Sequence, residues 1–350
     1  MKWGATLGVV VALFVLFWFP NRLPSNKSPS VRNKSTSVPQ FCPSGYHHHN
    51  NTLLALSKLK QATTTFATFN AEWLFDGVND PHRSSATADA HINNVGQWVS
   101  ALHADVLNVV ELENCQVLHR VREHLTETET EAMLVYVAPS QDTATRQTVG
   151  VITKLPFLSP GISQSLARSN YPTPHSRCQY NNPKTKSSGE SGVSKHWFGV
   201  LNIDAIGEVL VVGAHLKARP NHPKSCSKRE AQARVLIELV KQHGKDRHVI
   251  LMGDLNDFDG DVLDASSSVP NSNVLQELTT KLNLTNVWTF LQPQDRWSYH
   301  DVHHQWPDSS LDHILISAQL VKYVEAVWVD RNSTHSDHRP LAVRFRWGNK

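Results

Sequence analysis

Carboxylates, carboxamides and histidines gather in six short segments of this chain. They are Phe69-Asn70-Ala71-Glu72, Val110-Glu111-Leu112-Glu113-Asn114, Ala214-His215-Leu216-Lys217, Gly253-Asp254-Leu255-Asn256-Asp257, Leu311-Asp312-His313-Ile314-Leu315 and Ser336-Asp337-His338-Arg339-Pro340. Together they hold the groups that hydrolysis of a phosphodiester demands. The anionic oxygens of that linkage repel nucleophiles, so an enzyme must neutralise charge, activate a water and stabilise the leaving oxygen. Hard oxygen ligands suit Mg2+, Mn2+ or Ca2+, and Mg2+ is usually held by one or two carboxylates plus waters and substrate oxygens. Glu111, just beyond an apolar run, is the best single metal ligand. Asp254 and Asn256 are two residues apart and can point together at one phosphate. In isolation such a pair is more often a Gly-Asp turn closed by an Asx bond, and a lone histidine is more often structural than catalytic.

Most of these segments end, or closely follow, a run of aliphatic or β-branched residues. Asp105 to Val110 precedes Glu111, and His248 to Met252 precedes Gly253-Asp254. A short apolar run closed by Gly or a polar residue is the pattern of a buried strand, and loops just beyond strand ends are where a rigid sheet carries catalytic groups. From Thr64 onward strands and helices mix. Thr65 to Phe69 reads as a strand, and His91 to His103 as a helix with Val95, Trp98, Val99 and Leu102 on one face. A strand to Glu111, a helix over Val117 to Leu125, and strands at Leu134 to Val137 and Val149 to Ile152 follow. Trp197 to Ile203 and Val209 to Ala214 pair around Ile206-Gly207-Glu208. Lys228 to Gln242 is an amphipathic helix with Ala231, Val235, Leu236 and Leu239 inward, and the last third reads as strands separated by loops. With no regular βαβ repeat, this order fits a sheet-on-sheet core flanked by helices.

In this order the segments resemble the endonuclease/exonuclease/phosphatase superfamily, which includes pancreatic-type DNase, abasic-site endonucleases, neutral sphingomyelinases and inositol polyphosphate phosphatases. The likeness covers about residues 64 to 348. Gly-Asp-x-Asn and Ser-Asp-His are each common by chance, but their ordered combination with the other segments is specific, and it reverses the structural readings above. The resemblance implies an α/β (α+β) four-layer sandwich, two packed mixed β-sheets flanked by helices. It implies that Asp254 positions or deprotonates the attacking water and that Asn256 binds the phosphate. Asp337 becomes a metal ligand, His338 a general base or transition-state donor, and Asp312 the group that orients His338. Glu111, rather than Glu113, matches the superfamily glutamate. Asn70 is the matching amide, at metal or phosphate, and Glu72 is a further metal candidate at a position where members vary. His215 looks like the DNase, sphingomyelinase and phosphatase branches and argues against the abasic-site branch. A second acid normally accompanies it, and none is identifiable here. Arg146 is a phosphate-binding candidate, with a surface role equally weighted. Asp257 and Asp259 read as solvated loop acids, with a calcium loop as the lesser reading, and His313 and His335 as bystanders.

A net charge of +3 over 350 residues gives no strong field, so local clusters matter more. Arg168, Arg177, Lys184, Lys186 and Lys195 face one acid, Glu190, between positions 168 and 195; Lys217, Arg219, Lys224, Lys228 and Arg229 face none between 215 and 229. Such runs are mostly solvated loops. The second, however, begins at His215, which favours phosphate steering and makes Lys217 and Arg219 substrate-binding candidates. A polyanion, DNA foremost, is the leading substrate. The alternatives are a sphingomyelinase- or phosphoinositide-phosphatase-type lipid hydrolase, and an inactive binding module of the same fold. No Trp/Phe hairpin stands out as built to enter lipid. Every matched position holds a competent residue, which disfavours the inactive module.

Residues 1–20 are expected to be a signal anchor or signal peptide, 21–60 a polar linker, and 64–348 one catalytic domain. Trp3 to Pro20 is uncharged and would span ~26 Å at ~1.5 Å per residue, near the lower limit for a membrane helix. It ends in Phe17-Trp18-Phe19-Pro20 with no small-x-small cleavage site, which favours a single-pass anchor over a cleaved signal. Either puts the catalytic part in the lumen or outside the cell. Residues 21–60 are too polar for a core, and His47-His48-His49 within them reads as linker rather than metal site. Sequons at Asn26, Asn33, Asn50, Asn283 and Asn332 agree with export. The four cysteines (Cys42, Cys115, Cys178, Cys226) allow three pairings. Cys178 with Cys226 is favoured because both lie in the basic loops expected around the site. No Cys-x-x-Cys pair exists, which excludes a zinc ribbon.

Overall fold

Apolar runs buried on one or both faces assemble into two mixed sheets, each supporting one half of the candidate site. A computed structural model describes residues 42, 62–78, 80, 82–124, 133–171, 175–178, 189–303, 305–332 and 334–348. Trp3 to Pro20, His47 to His49, the sequons at Asn26, Asn33 and Asn50, and Lys184 and Lys186 lie outside the described residues. No helix among the described residues is long and apolar enough to cross a membrane.

The chain runs β1 (Thr63–Leu74), α1 (Ser85–Leu102), β2 (Val106–Leu112), α2 (Cys115–Arg122), β3 (Leu134–Val137), β4 (Thr148–Thr153), β5 (Ser169–Tyr171), β6 (Gly189–Ser191), β7 (His196–Ile203) and β8 (Gly207–His215). It continues α3 (Pro223–His243), β9 (His248–Asp254), α4 (Val274–Leu282), β10 (Leu284–Asn286), β11 (Asp312–Ser317), β12 (Val324–Val329) and β13 (Leu341–Arg346). One sheet has the order β12-β13-β1-β2-β4-β3, the other β10-β11-β9-β8-β7, and β5 and β6 form a separate ribbon. Among the described residues, only β1–β2 and β8–β9 are parallel.

The two sheets face each other across a core that includes Phe66, Val110, Val151, Trp197, Val211, Met252, Ile314 and Phe345. Ile92, Val95 and Val99 of α1 and Val117 and Leu118 of α2 cover the outer face of the first sheet. Val235, Leu236 and Leu239 of α3 and Leu275 and Leu278 of α4 cover the outer face of the second. This is the expected four-layer α+β sandwich. A polar tie also joins the two sheets. Asn108 Nδ2 donates to Thr68 Oγ1 (3.0 Å) and its Oδ1 accepts from Trp197 Nε1 (2.8 Å), all buried. Gly213 makes room for it, since a Cβ there would lie 2.3 Å from Asn108 Oδ1.

Helix ends differ from the periodicity, and each difference has a local cause. Helix α1 starts at Ser85 rather than His91 because Ser84 caps it, its Oγ accepting from Thr87 N at 3.4 Å. Helix α3 starts at Pro223 rather than Lys228, a proline at the first helical position needing no hydrogen-bond acceptor. Both opening turns are polar, so no apolar stripe marks them. The last third contains α4 as well as strands, with Val274, Leu275 and Leu278 buried on one face. The cysteines pair as Cys178–Cys226 and Cys42–Cys115.

Candidate active site

Strand register brings half of the site onto one rung. His215 at the end of β8 is the partner of Asp254 on β9, and Asp254 is the partner of Asp312 on β11. The rung needs Gly253. Its φ is +148°, and a Cβ there would lie 1.8 Å from Ala214 O. The first sheet supplies the other half. Asn70 on β1 lies beside Val110 on β2, one residue before Glu111. Because β13 pairs antiparallel with β1, the segment before Leu341 runs past Asn70, and Ser336 Oγ donates to Asn70 O at 2.8 Å.

Glu111 sits at φ +62°, where β2 loses its regular alternation. Alternation would put Glu111 and Glu113 on one face; instead Glu113 accepts from Asp76 N at 3.0 Å and only Glu111 faces the site. Glu111 Oε2 accepts from Trp73 N (3.2 Å) and Gln147 Nε2 (2.7 Å), and Oε1 accepts from Asn70 Nδ2 (3.2 Å). The same Asn70 amide donates to Asp254 Oδ2 at 3.0 Å, while its oxygen accepts from Glu72 N at 3.0 Å. Asn70 therefore presents N–H groups, not its oxygen, to the carboxylates. Glu72 lies in a left-handed bulge at φ +45°, and its Oε2 accepts from Asp337 N at 3.2 Å. Burial and the neighbouring Asp337 carboxylate both raise the Glu72 pKa.

His338 Nδ1 lies 2.5 Å from Asp312 Oδ2, and Nε2 lies 4.0 Å from Asp254 Oδ2. Burial lowers the His338 pKa, but Asp312, Asp337 and Asp254 outweigh it and hold the ring well above its ordinary value. Burial also pushes the Asp254 carboxyl up to about 7, against the charge of His338 and the Asn70 hydrogen bond. His215 is the opposite case. Burial, with Lys195, His338 and Lys217 nearby, lowers its pKa well below the ordinary value. Its Nε2 lies 3.8 Å from Glu111 Oε1 and 3.6 Å from Asp254 Oδ2, and neither ring nitrogen has a hydrogen-bond partner among the described residues. An unsatisfied buried imidazole facing two carboxylates is an arrangement that a bound cation, water or phosphate completes. The donor set of Glu111, Asp337 and Glu72 is hard oxygen and fits Mg2+, Mn2+ or Ca2+. Asp254, Asp312 and His338 also bring ligand atoms within 4.8 Å of one another. Asp312 and His338 are committed to each other, however, so this triad reads as acid–base machinery.

These groups floor a cleft of about 800 Å³. Asn70, Glu72, Glu111, Asp254, Asn256, Asp337 and His338 line it, while His215 and Asp312 lie beneath. Arg219 and Trp306 stand on its walls. Lys217 and Arg146 are exposed and outside the lining, Lys217 with its N–H held by Gln232 (2.9 Å) and Arg146 acting on Glu113.

Asp257 and Asp259 are not solvated. Asp257 is wholly buried and pairs with Arg229 Nε at 2.8 Å, and Asp259 accepts from Asn286 Nδ2 at 2.9 Å. Arg229 also donates to the carbonyls of Lys217, Arg219 and Pro220 at 3.1, 3.1 and 2.7 Å. One cation of the basic run is thus the buried pin that fastens the cleft loop to α3. His313 is buried against Asp257 O and Asn286, and His335 is exposed against Asn94 and Trp98; both lie outside the lining. Sequence reasoning missed Tyr299, whose ring lies 5.3 Å from that of His338 and whose pKa is pushed up to about 12 by burial, Asp337, Asp301 and Glu72. It also missed Gln147 and Lys195. No motif surrounds any of the three, and only the fold brings them in.

The model of the endonuclease/exonuclease/phosphatase family matches residues 67–338. A structure of an endonuclease/exonuclease/phosphatase from Beutenbergia cavernae is similar at a TM-score of 0.55 and 16% identity, covering 83% of this chain and 72% of that one. D. rerio TDP2 complexed with single-strand DNA product gives 0.52 at 15% identity, over 81% of this chain and 99% of that one. Truncated Caenorhabditis elegans TDP2 gives 0.50 at 14%, over 81% and 98%. No curated protein sequence matches significantly.

Proposed function

Because the chain belongs to the endonuclease/exonuclease/phosphatase family, a family of phosphodiester-cleaving hydrolases that generally use divalent metals, we propose that it is a metal-dependent phosphodiesterase acting on nucleic acid, DNA foremost. The observation that carries this reading is the meeting of Glu111, Asp254 and the Asp312–His338 pair at one cleft from separate segments of the chain. Glu111, Asp337 and Glu72 would hold the divalent cation, which would supply charge neutralisation at the phosphate. Asp254, made more basic by burial, takes the proton of the attacking water. The Asn256 amide faces a phosphate oxygen. His338, kept charged by Asp312, donates to the phosphoryl oxygen as negative charge builds. His215 is neutral and fills its orphaned hydrogen bond with substrate or water.

The open cleft, with Arg219 and aromatic rings on its walls, suits a nucleotide backbone with its bases. A second reading, a lipid phosphohydrolase, is favoured by one observation. Trp306 is 57% exposed and Val269 73% exposed, both lining the cleft, although no such hairpin stands out in the sequence. We further propose residence outside the cytosol, anchored through Trp3 to Pro20. Two disulfides support this, as does the exposure of Asn283 and Asn332. The purified chain assayed on plasmid DNA and on sphingomyelin vesicles, each with and without EDTA, tests the reading. DNA cleavage abolished by EDTA is expected. Metal-dependent cleavage of sphingomyelin alone overturns the nucleic-acid assignment, and activity indifferent to EDTA overturns the metal.

A further inference from the structure

Lys195 has no role in the steps above, yet it is a cation buried beside the site. Its side chain is 11% exposed, and its carbonyl accepts from His215 N at 2.9 Å, which fixes the residue against the catalytic rung. Nζ lies 3.0 Å from Gln147 Oε1 and 3.6 Å from Asp142 Oδ2. Gln147, itself buried, donates through Nε2 to Glu111 Oε2 at 2.7 Å. We propose that Lys195 is a positioning residue that acts through Gln147 to fix which oxygen of Glu111 is offered to the divalent cation. The proposal rests on Glu111 being a metal ligand.

The argument is one of donors and acceptors. An ammonium has only donors, so the amide must turn its oxygen toward Lys195, and an ionised carboxylate has only acceptors, so the amide must turn its nitrogen toward Glu111. A flipped Gln147 would set its NH2 against the ammonium and its carbonyl against the carboxylate. Glu111 Oε2 is thereby occupied by two N–H donors, Trp73 N and Gln147 Nε2. Oε1, held among the described residues by Asn70 at 3.2 Å and facing His215, stays available. The relay makes Glu111 a one-oxygen ligand of defined direction.

Charge alone and positioning predict opposite signs, which makes the proposal testable without turnover. Deleting a nearby positive charge tightens cation binding through Coulomb's law; losing the orientation of a ligand weakens it, typically 10- to 100-fold for the outer partners of a metal site. The experiment titrates Mn2+ into the full-length purified chain by calorimetry, without substrate. Lys195→Met is expected to raise the Mn2+ Kd about 10-fold or more, and Gln147→Leu to do the same. The double variant should be no weaker than the worse single, because both break one relay. Lys195→Arg, which keeps charge and donors, should recover most of the affinity. Glu111→Gln separates the premise from the proposal: unchanged Mn2+ binding in that variant removes the metal reading itself. Weakened binding in Glu111→Gln with unchanged or tighter binding in Lys195→Met overturns the positioning role. A lower Tm in Lys195→Met with unchanged Kd does so too, because it marks a purely structural ion pair with Asp142. If Lys195→Met does not fold, the contrast of Gln147→Leu with Lys195→Arg decides, and wild-type Kd in Gln147→Leu refutes the relay.

Discussion

Replacing Asp312 with Asn isolates the charge on which His338 depends. The substitution keeps the side chain's shape and can still leave an amide oxygen near Nδ1, but it removes the carboxylate that does most to raise the His338 pKa. Burial remains, and burial lowers the pKa of an imidazolium. Asp337 and Asp254 still oppose it, and a ring returned to about the ordinary value of 6.5 carries the proton in about a tenth of the molecules near pH 7.5. Each further unit costs another factor of about ten, or about 1.4 kcal/mol. Less precise aim of the ring adds to this, so kcat should fall about 100-fold or more near neutrality, within the span of a lost acid–base group. The signature is in the pH profile of kcat on plasmid DNA at saturating Mg2+. The basic limb should move to lower pH, and the deficit should shrink as the solution is acidified. The stability of the wild-type protein should show the same linkage. A His whose folded pKa lies above its unfolded value contributes stability that is complete below about 6.5 and lost as pH rises through the folded pKa. A basic limb that stays in place in Asp312→Asn would falsify the assignment of that limb to His338. So would a His338→Ala/Asp312→Asn double variant whose losses multiply rather than overlap.

Replacing Lys217, Arg219 and Lys224 with Ala should raise KM for DNA and flatten its salt dependence with kcat nearly unchanged, because exposed cations beside the cleft act through counterion release. An unchanged KM and salt slope would shift weight to the lipid reading. Asp257→Asn should destabilise the fold by about 3–5 kcal/mol, since it leaves Arg229 buried without its counter-charge. A Tm within a degree or two of wild type in scanning calorimetry would refute the pin. If the chain is exported, Asn283 and Asn332 should carry glycans, readable as a mobility shift on deglycosylation. Asn332, five residues before Asp337, should have the lower occupancy, and an intact unglycosylated protein in the cytosol contradicts export.

What was legible in the sequence was mostly what strand ends and apolar periodicity encode. The aliphatic runs before Glu111 and Gly253 fold as β2 and β9, and Ala231, Val235, Leu236 and Leu239 face inward as their spacing demands. The opening turns of α1 and α3 were not legible, because Ser84 and Pro223 start helices by capping and backbone geometry rather than by burial. Asp257 read as solvated because its partner Arg229 lies on another element and was counted only as one more positive charge in a basic run. Lys195 was lost in the same way, since a tally of charges records sign but not burial. Gln147 carries no charge and no motif, and its importance exists only between Lys195 and Glu111.

The rung that joins His215, Asp254 and Asp312 gives the chemistry a digital character. Side chains alternate along a strand, so sliding β9 by one residue against its neighbours would turn Asp254 toward the helices and dismantle the site in one step, with no partly competent form between. Gly253 permits the close approach of β8 and β9 at that rung, so a bulkier residue there would act on pairing rather than on any catalytic group. The loops at 217–222 and 305–311 lie outside that rung, one after β8 and the other before β11. They can lengthen or change composition while the rung stays intact. Exchange of those loops is therefore the route by which this scaffold can trade one phosphodiester substrate for another without relearning how to cut it.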